Sequence, residues 1–181
     1  DRWVLEDKAR HVPDAHTRDE LHEDTVNYLS SLPVQIDIES VAGTLLLCHG
    51  IADNDLKKVW PGTEQMPIER SRELDELIDE GTHAFLINGH MHFKTIVHFK
   101  QMTLINAGTI TGHHWPGFTT IDFESSVIQA YRFDEGGVRE CKTTALKPDG
   151  SQQCFTDTRG FTGDWQPQLL FNRISDSAAR R

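Results

Sequence analysis

Apolar and polar positions follow two different periods along this chain, and the change of period falls near its middle. Leu21, Tyr28, Leu29 and Leu32 recur at i, i+7, i+8 and i+11 ahead of Pro33, which puts them on one face of a helix. Thr17-Arg18-Asp19-Glu20 matches the Thr-x-x-Glu capping box, in which side chains satisfy the first free amides of such a helix. Val34-Gln35-Ile36-Asp37-Ile38 then alternates as a half-buried strand does, whereas residues 44–47 form a continuous apolar run, the mark of a strand covered on both faces. Residues 51–66 are a polar loop. Pro67 suits a first helical position, Ile68, Leu74, Leu77 and Ile78 supply a buried stripe, and Gly81 is the stop. Residues 84–87 form a second covered strand. Strand, helix and strand make a βαβ unit.

Beyond residue 92 the period becomes two. Residues 95–98 and 102–106 predict a short hairpin, followed by Ala107-Gly108-Thr109. Residues 118–123 and 127–133 alternate around a turn at Glu124-Ser125-Ser126, and Gly136-Gly137 turns the chain into residues 138–146. The expected class is therefore α/β, with an antiparallel second half. From residue 147 onward the sequence is polar and weakly patterned. This 147–181 extension is expected to be partly disordered, docked by Trp165, Leu169, Leu170 and Phe171, with its 175–181 end free.

Composition narrows the class. At 181 residues, 37% of them hydrophobic, the chain is one domain's worth of sequence. No apolar run approaches the roughly 18 residues of a membrane span, and no signal peptide is visible. A formal net charge of −10 argues against non-specific nucleic-acid binding, which needs basic patches. An acidic protein still binds phosphate esters where metal ions supply local positive charge. Cys48, Cys141 and Cys154 follow no disulfide pattern and fit a reducing compartment, so a cytoplasmic location is expected. Cys48 is expected in the core, because its neighbour His49 points to the opposite face.

The candidate chemistry sits at the strand ends. Thr44-Leu45-Leu46-Leu47-Cys48-His49-Gly50 carries an apolar strand into His-Gly, and Leu86-Ile87-Asn88-Gly89-His90-Met91-His92 carries the next into Gly-His-x-His. In an extended segment residues i and i+2 point the same way, so His90 and His92 are expected to share a site that His49 joins from the adjacent strand. Open α/β sheets place ligands outside the carboxyl ends of their strands. Three imidazoles there suit a two-metal centre, in which ions about 3.5–4 Å apart clamp attacking and leaving oxygens. His-x-His is weak by itself, and the chain has 10 histidines; it is the surrounding strand–helix–strand–hairpin pattern that gives it meaning. No Gly-rich phosphate loop, Gly-x-Ser-x-Gly elbow or Cys-x-x-Cys pair is present.

On these residues the chain resembles the C-terminal part of a calcineurin-like metallophosphoesterase, close to the small bacterial and archaeal phosphodiesterase-type members. Leu47-Cys48-His49-Gly50 is similar to the family's fourth motif, and Gly89-His90-Met91-His92 to its fifth. The resemblance implies that His49 and His90 ligate one divalent ion and His92 a second, the metal being manganese, iron, zinc or nickel. Leu104-Ile105-Asn106-Ala107-Gly108-Thr109 resembles the Asn-Pro-Gly-Ser segment, with Ala107 and Thr109 as departures. Asn106 and His114 are the candidate substrate contacts, although His113-His114-Trp115 reads equally as a solvated loop. Asp1-Arg2-Trp3 resembles the residues directly after the family's Gly-Asn-His motif, with an arbitrary boundary as the alternative.

The resemblance implies that residues 1–146 are the C-terminal part of a metallophosphoesterase domain. Its expected form is a partial two-sheet sandwich flanked by helices, with the leading βαβ units absent. The expected function is metal-dependent hydrolysis of phosphate mono- or diesters in the complete protein, and an inactive 181-residue fragment. The sheet edge at residues 44–47 is then expected to be unpaired. Two other readings remain: a non-catalytic protein-interaction scaffold of the same fold, and a mononuclear three-histidine centre with an open position.

Overall fold

A computed structural model describes residues 22–55, 70–90, 92, 94–110, 116–161 and 168–169, the last pair by backbone alone. The chain divides into two compact units, residues 1–33 and 34–181. In the first, helix α1 spans Glu23–Ser31 behind an His22 cap, whose Nδ1 accepts from the Asp24 amide at 3.4 Å. Glu23 and Asp24 put negative charge at the helix's positive end. Leu32 turns extended ahead of Pro33, as a residue preceding proline must. Tyr28, Leu29 and Leu32, expected on one face of this helix, are exposed at 63%, 50% and 48%. Leu21 and the Thr17–Glu20 capping box lie outside the described residues.

The second unit has three layers. Strands β1 (Gln35–Ile38), β2 (Leu45–Cys48), β3 (Phe85–Asn88), β4 (Lys94–Phe99) and β5 (Thr103–Ala107) form a mixed sheet in the order β1-β2-β3-β5-β4. The β2–β3 and β3–β5 pairs are parallel, while β1–β2 and β4–β5 are antiparallel. Strands β6 (Gly117–Asp122), β7 (Val127–Asp134) and β8 (Gly137–Ala145) make a separate antiparallel sheet, matching the expected hairpins. Later come β9 (Cys154–Phe155), parallel to β4, and β10 (Gln168–Leu169), antiparallel to it.

Alternation along each strand sorts the core into two faces. Leu46, Cys48, Leu86, Val97, Phe99 and Leu104 face helix α2 (Arg72–Glu80), which buries Leu74, Leu77 and Ile78 against them. Leu45, Phe85, Ile96 and Ile105 face the other way, onto Ile128, Ala130 and Leu146 of the second sheet's side. Helix α2 starts at Ser71, whose Oγ accepts from the Leu74 amide at 3.3 Å. It stops at Gly81, held at φ 65° where a side chain is strained. Pro67 and Ile68 lie outside the described residues. No helix among the described residues is long and apolar enough to cross a membrane.

Two expectations change at the sheet's margin. β2 is not an unpaired edge, because β1 pairs with it from Gln35↔Cys48 to Ile38↔Leu45. Nor is β1 half-buried: the second sheet does not reach over it, leaving Ile36, Ile38 and the adjacent Leu47 exposed at 45%, 41% and 38%. The apolar edge is one strand further out than expected.

Residues beyond 147 also contribute to the core. Phe155 and Phe161 pack edge-to-face, with ring centroids 4.9 Å apart, beside the buried Phe99. Thr158 is fully buried: its hydroxyl accepts from the Ser71 amide at 2.9 Å and donates to the Asp75 carboxylate at 2.7 Å. Strands of two residues are too short to show a period, so hydrophobic patterning does not reveal them. Trp165, Leu170, Phe171 and the 175–181 end lie outside the described residues.

Lys94 is the unexpected core residue. It is 1% exposed, and burial lowers its pKa from 10.5 to about 8 against a smaller upward pull from Cys141. Between those values the unfolded chain holds a proton that the folded one releases, so stability rises with pH across that window. Below about 8 the folded state carries the whole penalty, on the order of 3 kcal/mol at 1.36 kcal/mol per unit. Lys94→Met is expected to raise stability at pH 7 by up to that amount and to flatten its rise toward pH 10, as read by urea melts over this range. Ile36→Lys is expected to suppress concentration-dependent association of the 181-residue chain in sedimentation, by charging the exposed edge.

Candidate metal centre

The parallel register of β2 and β3 ends on Leu47↔Ile87, so the chain leaves both strands at the same level. His49 and Gly89 are then neighbours, and the Gly89 amide donates to the His49 carbonyl at 3.2 Å. Gly50 follows His49 into a tight turn closed by reciprocal Ile51–Asn54 backbone bonds at 3.0 Å. A Cβ on Gly50 would meet the Asn54 carbonyl oxygen at 2.3 Å, so only glycine lets the turn close. Cys48 is buried below, its Sγ donating to the Gly50 carbonyl at 3.5 Å. Burial raises its thiol pKa against a smaller opposing pull from the Ala52 backbone. Its place is in the core, as expected.

This turn geometry brings two histidines together. His49 Nε2 and His90 Nδ1 lie 3.0 Å apart, with rings edge-on at 78° and centroids 4.9 Å apart. One ring nitrogen donates to the other in this pair. The spacing also matches two ligands of one ion, since nitrogens about 2.1 Å from a common metal lie roughly 3.0–3.4 Å from each other. His49 is exposed, while the His90 Nε2 atom is buried.

His92 does not complete a three-ligand metal group with the pair. His90 adopts φ 36° and His92 φ 61°, so neither histidine has an extended backbone. The alternation that would aim positions 90 and 92 at one site does not apply there. Among the described residues no group of three or more His, Cys, Asp or Glu side chains could hold a metal ion. The pair therefore fits two positions around one divalent ion. The described residues do not supply the ligands of a two-ion centre.

Two asparagines lie beneath the pair, and only Asn106 carries a motif that marks it in the sequence. Asn106 is 1% exposed; its Nδ2 donates to Asn88 Oδ1 at 2.9 Å and to the Gly89 carbonyl, while its Oδ1 accepts from the Gly108 amide at 3.1 Å. Those bonds engage the amide expected to touch substrate. Asn88, 3% exposed, donates from Nδ2 to the Gly50 carbonyl at 3.0 Å. Its signal in the sequence is a polar residue ending an otherwise apolar strand. His114 lies outside the described residues, as does Met91. His98 is a core residue, bonded through Nδ1 to Thr103 Oγ1 at 3.1 Å, and burial lowers its pKa against a smaller pull from Asp149.

No protein-family model matches this chain, and no curated protein matches it. Over about 70% of its length the chain aligns with solved structures of Vps29 and of the hypothetical protein PH1004. A single mutant of Vps29 from Entamoeba histolytica aligns with TM-score 0.46 and 19% identity, over 72% of this chain and 66% of that one. Wild-type Vps29 of the same organism, solved with zinc, aligns with TM-score 0.46 and 18% identity, over 73% and 67%. The hypothetical protein PH1004 from Pyrococcus horikoshii aligns with TM-score 0.40 and 11% identity, over 68% and 44%. The chain thus spans about two thirds of the length of these Vps29 structures.

The left-handed φ of His90 stores strain of roughly 1–2 kcal/mol that glycine lacks. His90→Gly is expected to raise the melting temperature of the metal-free protein while abolishing its contact with His49. A lowered melting temperature would count against stored strain.

Proposed function

We propose that the chain is the back part of a metallophosphoesterase two-sheet sandwich, and that the complete protein hydrolyses phosphate mono- or diesters. The observation that carries this reading is the 3.0 Å pair of His49 Nε2 and His90 Nδ1 at the carboxyl ends of two parallel strands. His49 and His90 would hold one divalent ion, with manganese, iron, zinc and nickel all suited to imidazole and carboxylate. His92, exposed two residues on, would serve a second ion, with the other ligands coming from outside the described residues. A bound divalent ion lowers the pKa of water and neutralises charge on phosphoryl oxygens. The chain's own residues fix imidazole spacing and orientation, through Gly50, Gly89 and the carbonyls around them. An overall charge of −10 supports the need for cations at a phosphate site. Three cysteines that follow no disulfide pattern, one of them exposed, support a reducing, cytoplasmic setting.

A second reading is a protein-interaction scaffold of the same fold. One observation favours it: among the described residues no third metal-ligating side chain joins the pair. Metal content and turnover of a generic aryl phosphodiester separate the two. The complete protein is expected to take up divalent metal and hydrolyse the ester, and His49→Ala to reduce both at least tenfold. The 181 residues alone are expected to bind metal weakly and turn over nothing. Robust hydrolysis by the 181 residues alone would overturn the fragment part of this reading, and metal uptake by the complete protein that ignores His49→Ala would overturn the assignment of the pair to the metal.

A further inference from the structure

We propose that Asn88 is the positioning residue of the histidine pair, setting the His49–His90 spacing through the glycine carbonyls beside them. The inference rests on the reading that this pair holds a cation, and it concerns a residue that touches neither histidine ring.

Asn88 ends β3 in register with Asn106 of β5. It lies on the helix-side face of the sheet, in line with Leu86, where the neighbouring strands place Leu46, Val97 and Leu104. A buried carboxamide in that setting must satisfy both its ends. Its Nδ2 donates to the carbonyl of Gly50, the residue after His49, and its Oδ1 accepts from Asn106. Asn106 in turn donates to the carbonyl of Gly89, the residue before His90. Two side chains therefore link the carbonyls on either side of the pair in one continuous hydrogen-bonded path. The backbone bond from Gly89 to His49 closes it into a ring.

Both turns need this support. Gly50 is buried, so its carbonyl depends on protein donors, and the Cys48 thiol is a weak one. His90 holds a left-handed backbone that surrounding structure must enforce. Without the Asn88 amide the Gly50 carbonyl loses its strong donor, and the turn carrying His49 is released from the turn carrying His90. Partners of this kind, one step removed from a metal ligand, typically alter metal affinity 10- to 100-fold.

Cobalt(II) serves as the probe, titrated into the whole protein with its visible absorption recorded, alongside 15N-detected histidine ring signals of the metal-free protein. Asn88→Leu keeps the side chain's volume and removes both hydrogen bonds. It is expected to weaken cobalt binding 10- to 100-fold, shift the absorption bands and move the His49 and His90 ring signals. Thr158→Val, which breaks a buried bond elsewhere in the same core, is the structural control. It is expected to lower the melting temperature without changing cobalt affinity or ring signals. Should Asn88→Leu fail to fold, Asn88→Ser replaces it, its hydroxyl too short to span to Gly50. An Asn88 variant that behaves like Thr158→Val, with ring signals in place, overturns the inference. Wild-type protein that takes up no cobalt sinks the cation reading instead, and the ring signals then decide the positioning role alone.

Discussion

Register between β2, β3 and β5 is the constraint on which the other features depend. Leu45 lies beside Phe85, and Phe85 beside Thr103, so three parallel strands advance in step. A slip of one residue in any of them would exchange its two faces. The apolar residues now against α2 would turn toward the second sheet, and the strand ends carrying His49 and Gly89 would fall out of level. Helix packing, sheet packing and the histidine contact are consequences of one alignment. That alignment is enforced by apolar side chains on both sides of the same strands.

Much of this is legible in the sequence because it depends on pattern. Runs such as Leu45–Leu46 and Phe85–Leu86 announce strands covered on both faces, and the stripe of Leu74, Leu77 and Ile78 fits its helix. The alternating hairpins from 117 to 145 follow from a period of two. What pattern does not encode is who covers a strand. Val34, Ile36 and Ile38 alternate as a buried face does, yet the sheet that covers Leu45 does not extend to them. Residues 154–158 are illegible for the opposite reason: their contribution lies in the Phe155 ring, a two-residue pairing with β4 and long-range bonds to Ser71 and Asp75, without any periodicity of their own.

The candidate site divides the same way. His49 and His90 stand out because each ends an apolar strand, and strand ends are visible in sequence. The place of His92 depends on the backbone between the two histidines, and positive φ at both cannot be inferred from Gly-His-x-His. Asn106 carries a recognisable motif but works inward, toward Asn88 and Gly89. The polar layer under the imidazoles is a property of neighbouring strands in register, so no single segment contains it.

The bond between Thr158 and the start of α2 spans 87 residues of chain. A helix whose first turn is tied to so distant a partner cannot complete its environment while the chain is still emerging from the ribosome. During that interval the apolar stripe of α2 has its sheet but lacks the Phe155–Phe161 flank that later closes beside it. Vectorial synthesis therefore leaves the surroundings of this helix incomplete until residue 161 has emerged.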